Sequence, residues 1–222
     1  MWVEYGTGNC LRAIPVHQIV QVLGPAKCQG LPMFHALTGC DTTSAFCSIG
    51  KKTAWSAWKV FPSITEVFKK LSCKFDEILE SDVQQLECFV VCMYDKTLEV
   101  KNVNDARQIL FSSGTRTLER IPPTSAALFQ HIKRSAYQAG LVWGQSLTTN
   151  QQLPSPSLYG WKRENEHSNW QIHWTDLADA SLACRELIKC GCKKKCSGKC
   201  KCKKAELECT PLCACHGKYI CS

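Results

Sequence analysis

Apolar residues recur with helical spacing along most of the first 145 residues, and polar, Gly- or Pro-containing segments separate the stripes. The first stripe runs from Pro15 to Gly24, and proline at the start with glycine at the end is typical of a helix. A second helix is predicted over residues 32–37. Before both, residues 2–5 and 12–14 flank a glycine-rich turn, which predicts a pair of short strands.

Four more helices are predicted downstream. Residues 63–66 and 81–84 have the spacing of capping boxes, and each precedes an apolar helical stripe. A short helix is predicted over residues 104–111, and a long one runs from Pro122 to Gln145. The predicted core stripe of the long helix is Leu128, Ile132, Ala136, Ala139 and Trp143. Its polar residues His131, Lys133, Arg134 and Gln138 are predicted to lie on the surface, and two basic residues are too few for a nucleic-acid-binding helix.

Residues 148–157 are a polar, Pro-rich connector, and an aromatic segment follows it. Residues 159–174 are predicted to form a small hairpin whose tryptophans pack together, with stacking on nucleic-acid bases as the alternative. A helix capped by Thr175-Asp176 is predicted to run to Lys189. The predicted segments are 1–112, 113–147, 148–180 and 181–222, in a chain that is mainly α with a short β edge.

The C-terminal segment has a different character, because nine of the chain's 17 cysteines lie in it, as three C-x-C pairs and three single positions. They are Cys190, Cys192, Cys196, Cys200, Cys202, Cys209, Cys213, Cys215 and Cys221. Lysine-rich spacers separate them and leave almost no apolar side chains for a core. Disulfides or metal ions must therefore hold the segment together.

Metal explains the number and spacing of these cysteines better than disulfides. Nine is odd, and a disulfide within C-x-C would close a strained small ring, whereas both sulfurs can bind one ion. Zinc takes four sulfurs in a tetrahedron, so about three structural Zn²⁺ offer twelve positions, which nine thiolates fill when three of them bridge. A disulfide framework remains an alternative, as does a two-zinc site with a spare cysteine or with His216 as a ligand.

The positive charge of the chain lies in the same segment. The whole chain carries a net charge of +8, and from Arg185 onward ten Lys or Arg face three Glu, which is a net +7. The lysines would lower the thiolate pKa values and offset the negative charge of a zinc–thiolate cluster. This density predicts a nucleic-acid partner, duplex DNA first, with a solvated lysine face as the alternative. The predicted contacts are Lys193, Lys194, Lys195, Lys199, Lys201, Lys203 and Lys204.

The cysteine spacing resembles the CXC domain of tesmin-type and male-specific-lethal-type chromatin proteins. That module holds three zinc ions on nine cysteines and binds DNA, so the resemblance implies the same fold and partner here. Two features differ, since the last cysteine gap is longer and Lys199 stands where the tesmin type has a DNA-contacting tyrosine. The resemblance therefore implies the metal fold and no base preference.

Residues 1–60 resemble the part of flap endonucleases and related 5′ nucleases that leads into their helix-hairpin-helix. Gly39-Cys40-Asp41 and the segment 48–54, SIGKKTA, carry the resemblance, and Ser48 replaces the first hairpin glycine. It implies that Asp41 is an active-site metal ligand, although the residues alone favour a helix N-cap equally. It also implies that Gly50, Lys51 and Lys52 contact duplex phosphates, which a glycine turn before a helix start can do. The whole pattern further resembles animal proteins that derive from mobile elements and end in a CXC tail.

Catalysis is less favoured than binding. Nucleases of this kind hold two metal ions with several carboxylates, and Glu4 is the one acidic residue before Asp41. Residues 1–112 then correspond to the helical C-terminal part of an α/β nuclease-like domain. A Mg²⁺-dependent nuclease completed by other sequence is the alternative, and a zinc-stapled protein-interaction module without nucleic acid is a further one.

The remaining cysteines and the apolar runs bear on location. Eight other cysteines lie among apolar residues and are predicted to be buried free thiols in a reducing compartment. They are Cys10, Cys28, Cys40, Cys47, Cys73, Cys88, Cys92 and Cys184. The N-terminus lacks signal-peptide character and no apolar run is long enough to span a membrane. Nucleus or cytosol is expected, with the nucleus favoured by the DNA interpretation.

Overall fold

The structure is a computed structural model that describes residues 1–113, 117–150, 153–166, 168–177, 190–192, 200–204, 208–209 and 213–215. The chain divides into two units, Met1–Asp176 and Leu177–Ser222. Helices dominate the described residues, with two short antiparallel strand pairs, so the predicted mainly helical chain with a short β edge is confirmed. Among the described residues, no helix combines the length and apolar character that a membrane span requires.

The N-terminal strand pair forms as predicted. Strand β1, Trp2–Tyr5, pairs antiparallel with β2, Arg12–Pro15, and places Trp2 opposite Pro15. Every side chain of β1 is exposed. A two-stranded hairpin of this length gains its order from the glycine-rich turn and from the helix that follows, since isolated hairpins are marginally stable in water.

Helix α1, Val16–Leu37, contains a break at Gly24, where φ is 74° and ψ is 165°. This backbone region is essentially reserved for glycine, so the predicted end of the first helix is confirmed. The predicted start of the second helix at Pro32 is wrong. The helix resumes directly after Gly24, because Pro25 suits a first helical turn, and Pro32 is tolerated inside it.

Four helices follow within the same unit. They are α2, Lys51–Val60; α3, Ile64–Cys73; α4, Glu80–Tyr94; and α5, Val103–Ser112. Both predicted capping boxes are wrong in detail. Ser63 makes no side-chain cap, and Thr65 Oγ1 instead donates to the Pro62 carbonyl at 2.7 Å. At α4 the cap comes from Asp82, whose Oδ2 accepts the Leu79 N–H at 2.9 Å.

The core of this unit is a cluster of aromatic side chains between α1, α2, α3 and α4. Trp58 packs with its ring centroid 4.9 Å from Phe34 and 5.0 Å from Phe68, and Phe89 lies 5.2 Å beyond Phe68. Trp58 Nε1 donates to Thr65 Oγ1 at 2.9 Å, which satisfies its one polar atom. Gly30 allows the close approach of α1, since a Cβ there would lie 3.0 Å from Phe68 Cβ.

Helix α6, Ser125–Ala136, continues into a π-helical segment, Tyr137–Trp143. Thr124 caps α6, because its Oγ1 accepts the Ala127 N–H at 3.3 Å. The predicted core stripe is buried from Leu128 to Ala139, and Trp143 packs against the core with part of its surface exposed.

The predicted surface face of α6 is wrong for three of its four residues, because His131, Arg134 and Gln138 are buried. The strand pair β3, Trp161–Lys162, with β4, Gln171–Ile172, belongs to the segment that covers this face. Arg134 Nη1 donates to two carbonyl oxygens of that segment, and His131 bonds to α1. Helix α6 is therefore covered on both faces.

The Trp-rich hairpin forms as predicted, but its tryptophans do not pack together. Among the described residues, Trp161 packs on Tyr137 at 5.4 Å between ring centroids. Trp170 lies under the Arg163 guanidinium at 4.8 Å, and Trp174 under Arg134 at 5.8 Å. Each ring has a separate partner because Trp161 lies on β3, whereas Trp170 and Trp174 lie outside the two-residue strands. The predicted helix capped by Thr175-Asp176 has no helical residue in its described part, 175–177, and its remainder, residues 178–189, lies outside the described residues.

The scattered cysteines are free thiols as predicted, but their predicted burial is wrong. Cys10, Cys47 and Cys73 are exposed, and the other four that the structure describes are half-buried: Cys28, Cys40, Cys88 and Cys92. Cys28 lies within α1, and Cys88 and Cys92 lie within α4, where larger apolar side chains such as Phe34 and Phe89 take the fully buried positions. Cys184 lies outside the described residues.

Candidate metal centre

Seven of the nine predicted cysteine ligands belong to the described residues, while Cys196 and Cys221 lie outside them. Five of the seven are buried and two are half-buried, and together they form the core of the second unit. All of the described cysteines are free thiols. A core made of sulfur atoms agrees with the expectation that ligation replaces apolar burial in this segment.

A short helix, α7, Lys201–Lys204, orients the central C-x-C pair. It begins after Cys200, whose carbonyl accepts the Lys204 N–H at 3.0 Å. Cys202 is buried, and the three lysines of the helix are exposed. One turn of helix therefore presents sulfur to the interior and ammonium groups to the solvent.

Four sulfurs converge in a first group. The Sγ atoms of Cys190, Cys202, Cys209 and Cys213 all lie within 4.8 Å of one another. Cys190 and Cys209 are 3.6 Å apart, and Cys202 and Cys213 are 3.5 Å apart. Zinc bound by four sulfurs at about 2.3 Å has sulfur–sulfur edges of about 3.8 Å. The group can therefore hold a metal ion in tetrahedral coordination with small adjustments.

A second group shares a residue with the first. The Sγ atoms of Cys190, Cys192 and Cys200 also lie within 4.8 Å of one another. Cys190 belongs to both groups, so its sulfur is placed to bridge two ions. This shared role is what the nine-thiolate count requires of three cysteines, although sequence spacing alone does not say which ones bridge. Cys215 is buried and belongs to neither group.

Backbone hydrogen bonds join the two ends of the segment. The Ala214 N–H donates to the Cys190 carbonyl at 3.0 Å, and the Cys190 N–H donates to Cys213 Sγ at 3.4 Å. An N–H that points at sulfur favours the thiolate form, which is the form that binds metal. The first and third C-x-C pairs are thus held together by main-chain contacts as well as by converging sulfurs.

The thiol pKa values respond to these surroundings. The backbone N–H of Lys203 lowers the pKa of Cys200 to about 6, so this sulfur is a ready ligand at neutral pH. Burial raises the pKa of Cys202 to about 12, and that of Cys192 to about 11. Metal binding would displace those protons, so occupancy of the centre is coupled to pH.

Part of the predicted nucleic-acid surface can be placed. Lys201, Lys203 and Lys204 are exposed on α7, directly outside the sulfur groups. Lys193, Lys194, Lys195 and Lys199, like the alternative ligand His216, lie outside the described residues. The described part therefore shows three ammonium groups within four residues of one another.

The second predicted site lies in the loop between α1 and α2, where Lys51 organises the turn. Its Nζ donates to the carbonyl oxygens of Gly39 at 2.7 Å and His35 at 3.0 Å, and to Thr38 Oγ1 at 2.8 Å. A lysine in this position binds the last carbonyls of a helix and complements its dipole. Lys51 therefore stabilises the turn through these bonds, and Gly50, Lys51 and Lys52 are all exposed.

The backbone at Ser48 has the form of a glycine turn. Among the described non-glycine residues, Ser48 alone has a positive φ, at 60°. This position corresponds to the first hairpin glycine in the nuclease resemblance, and glycine adopts that conformation without strain. The helix-hairpin-helix interpretation stays a prediction.

Asp41 is exposed in this loop and does not cap a helix, because α2 begins at Lys51 with Gly50 as its N-cap. Within the part of the chain that the structure describes, the groups of three or more potential metal ligands are the two cysteine groups. No cluster of carboxylates surrounds Asp41 among those residues, and its role as a metal ligand stays a prediction.

No family model, no curated protein and no solved structure matches this chain.

Proposed function

We propose that the C-terminal unit is a zinc module that binds duplex DNA through its lysines. The observation that supports the zinc part of this proposal is that two groups of converging sulfur atoms share Cys190. Soft thiolate ligands in a closed, tetrahedral arrangement favour zinc in a structural role over Mg²⁺ or Ca²⁺, which prefer oxygen. About three ions per chain satisfy all nine cysteines.

The DNA half of the proposal depends on charge. The sequence gives this segment a net charge of +7, and the described lysines of α7 point away from the sulfur core. Phosphate contacts of this kind are independent of base sequence and release counterions. Affinity should therefore fall steeply with salt, with a slope near −0.9 for each phosphate neutralised.

Native mass spectrometry of the full chain tests the metal. We expect a mass that corresponds to about three Zn²⁺ and to nine C-terminal cysteines that lack disulfides. A chain that retained no zinc, or that contained paired half-cystines in this segment, would contradict the proposal. A mass corresponding to two ions would instead support the alternative with a spare cysteine or with His216 as a ligand.

Fluorescence anisotropy with a duplex oligonucleotide tests the partner. The triple variant Lys201→Glu, Lys203→Glu, Lys204→Glu should lose most of its affinity. The matched control is Lys59→Glu, Lys74→Glu, Lys101→Glu, which changes the net charge equally at exposed positions of the first unit. Equal losses in both variants would show that net charge alone acts, and retained affinity in the first would place the DNA contact outside α7. No binding by the wild type would favour an interaction module without nucleic acid.

A further inference from the structure

The first unit contains a cavity of about 250 Å³ between the loop 44–47, helix α6 and the end of the Trp-rich hairpin. Phe46, Tyr94 and Trp174 supply aromatic rings to its lining, and His131 and Arg134 supply polar groups. A cavity of about 150 Å³ is enough to bind benzene in a protein core. This one therefore has room for a molecule of one aromatic ring with polar substituents.

Arg134 is a buried cation that has no ionic partner among the described residues. It is 1% exposed, and its Nη1 donates to the Gly160 carbonyl at 3.0 Å and to the His173 carbonyl at 2.8 Å. No carboxylate of the described residues lies within ion-pair distance of it. Burial lowers its pKa to about 10, so the guanidinium stays charged at neutral pH. A buried, uncompensated charge is costly unless an anion meets it.

The unpaired part of this guanidinium has the geometry of an anion fork. Both hydrogen bonds of Arg134 leave from Nη1, and Nε is buried without an acceptor. The Nε and Nη2 donors form one edge of the planar group, and such an edge binds a carboxylate with two parallel hydrogen bonds. Arg107 and Glu119 also line the cavity, and their formal charges sum to zero.

His131 supplies a hydrogen-bond acceptor, whereas Arg134 supplies donors. Its Nε2 lies 2.8 Å from the Leu37 carbonyl, and a carbonyl only accepts, so Nε2 carries the proton. Nδ1 is then an acceptor, and it is buried without a partner. Burial lowers the pKa of His131 to about 4, which keeps the ring neutral. A ligand here must therefore donate a hydrogen bond to Nδ1.

We propose that this cavity binds a small aromatic carboxylate that carries a hydroxyl or amino donor. The carboxylate meets the free edge of Arg134, the donor meets His131 Nδ1, and the ring lies among Phe46, Tyr94 and Trp174. Neither Arg134 Nε nor His131 Nδ1 is exposed to solvent in the free chain, so a side chain that lines the cavity must move when the ligand binds. Trp174 is 59% exposed and lies over the guanidinium, which makes it the side chain that moves most easily.

The test compares 3-hydroxybenzoate with its neutral isostere, 3-hydroxybenzamide, on the full zinc-loaded chain. NMR follows the Arg134 Nε–H and the His131 ring signals during each titration. We expect saturable shifts of both signals with the carboxylate, and an affinity for the amide that is at least about tenfold lower. Equal affinities, or no shift of these signals up to about 10 mM ligand, would overturn the proposal.

Variants locate the binding. Arg134→Met should abolish it, while Arg163→Met should leave it unchanged, because Arg163 stacks on Trp170 outside the cavity. If Arg134→Met does not fold, Ala127→Phe serves instead, since Ala127 lines the cavity and a phenyl group would fill it. Unchanged binding in the cavity-filling variant, or loss of binding in Arg163→Met, would place the ligand elsewhere and refute the proposal.

Discussion

At the scale of single residues, Cys190 has the largest consequence for the candidate metal centre. Its sulfur lies within reach of both sulfur groups, and its backbone N–H and carbonyl bond to the third C-x-C pair. A ligand that bridges two ions controls the occupancy of both, whereas a terminal ligand controls one. The described cysteines therefore differ in importance although their chemistry is the same.

This difference gives a direct prediction. Cys190→Ser should reduce the zinc content of both groups, while Cys209→Ser should affect the four-sulfur group alone, since Cys209 belongs only to it. Native mass spectrometry of the two variants measures the number of bound ions. The same loss in both variants would show that Cys190 does not bridge.

His131 predicts a pH dependence in the first unit. Burial lowers its folded pKa to about 4, below the usual value of 6.5. The unfolded chain thus binds the proton first, so the free energy of unfolding falls as pH drops from about 6.5 towards 4. A shift of this size corresponds to about 3 kcal/mol.

Chemical denaturation between pH 7 and pH 4 measures this effect. His131→Phe should be less stable at pH 7, because the Leu37 carbonyl loses its donor. Its stability should nevertheless fall less steeply with acid than that of the wild type. His17→Phe serves as the control, because His17 is exposed. If the free energy of unfolding fell equally with pH in the wild type and in His131→Phe, His131 would not be the source of the acid sensitivity.

At the scale of elements, Gly160 connects the Trp-rich hairpin to α6. It has a φ of 82°, and a Cβ there would lie 2.6 Å from the Gln130 carbonyl oxygen. Its own carbonyl accepts from Arg134 and from the His173 N–H. The hairpin is thus held against α6 by a contact that only glycine fits.

Gly160→Ala should destabilise the first unit by more than about 2 kcal/mol, because left-handed strain of about 1 kcal/mol adds to the overlap. Gly8→Ala is the matched control, since Gly8 has a φ of 53° and nothing within 4 Å of its added Cβ. Thermal unfolding compares the two, at roughly 2–4 °C per kcal/mol. Similar losses in both variants would show that strain alone acts.

The elements also show where sequence reasoning succeeds. Local signals located most helices, because the apolar stripe and the Gly or Pro at each end lie within the same segment. The face of α6 with His131 and Arg134 could not be predicted from them, because the residues that cover it lie up to 94 positions away in the chain. In the metal centre, composition predicted a sulfur core, but the assignment of Cys190 to two groups required the fold.

At the scale of the whole molecule, the two units depend on different forces. The first has an aromatic and aliphatic core, and the second has a core of sulfur. Loss of metal should therefore affect them unequally. All seven tryptophans lie before residue 175, so their signals report on the first unit alone.

Chelation of the full chain should abolish duplex binding and leave the near-ultraviolet circular dichroism of the tryptophans unchanged. The reason is that in the proposed zinc module metal–sulfur bonds would supply the folding free energy of the second unit, whereas burial of Trp58, Phe68 and their neighbours stabilises the first. The melting temperature observed through tryptophan should stay within about 2 °C of the untreated chain. Restored binding on addition of Zn²⁺ distinguishes metal loss from irreversible damage. Loss of the tryptophan signal on chelation would mean that the first unit also needs metal. DNA binding that persisted after chelation would show that the metal-bound C-terminal unit is not what binds DNA.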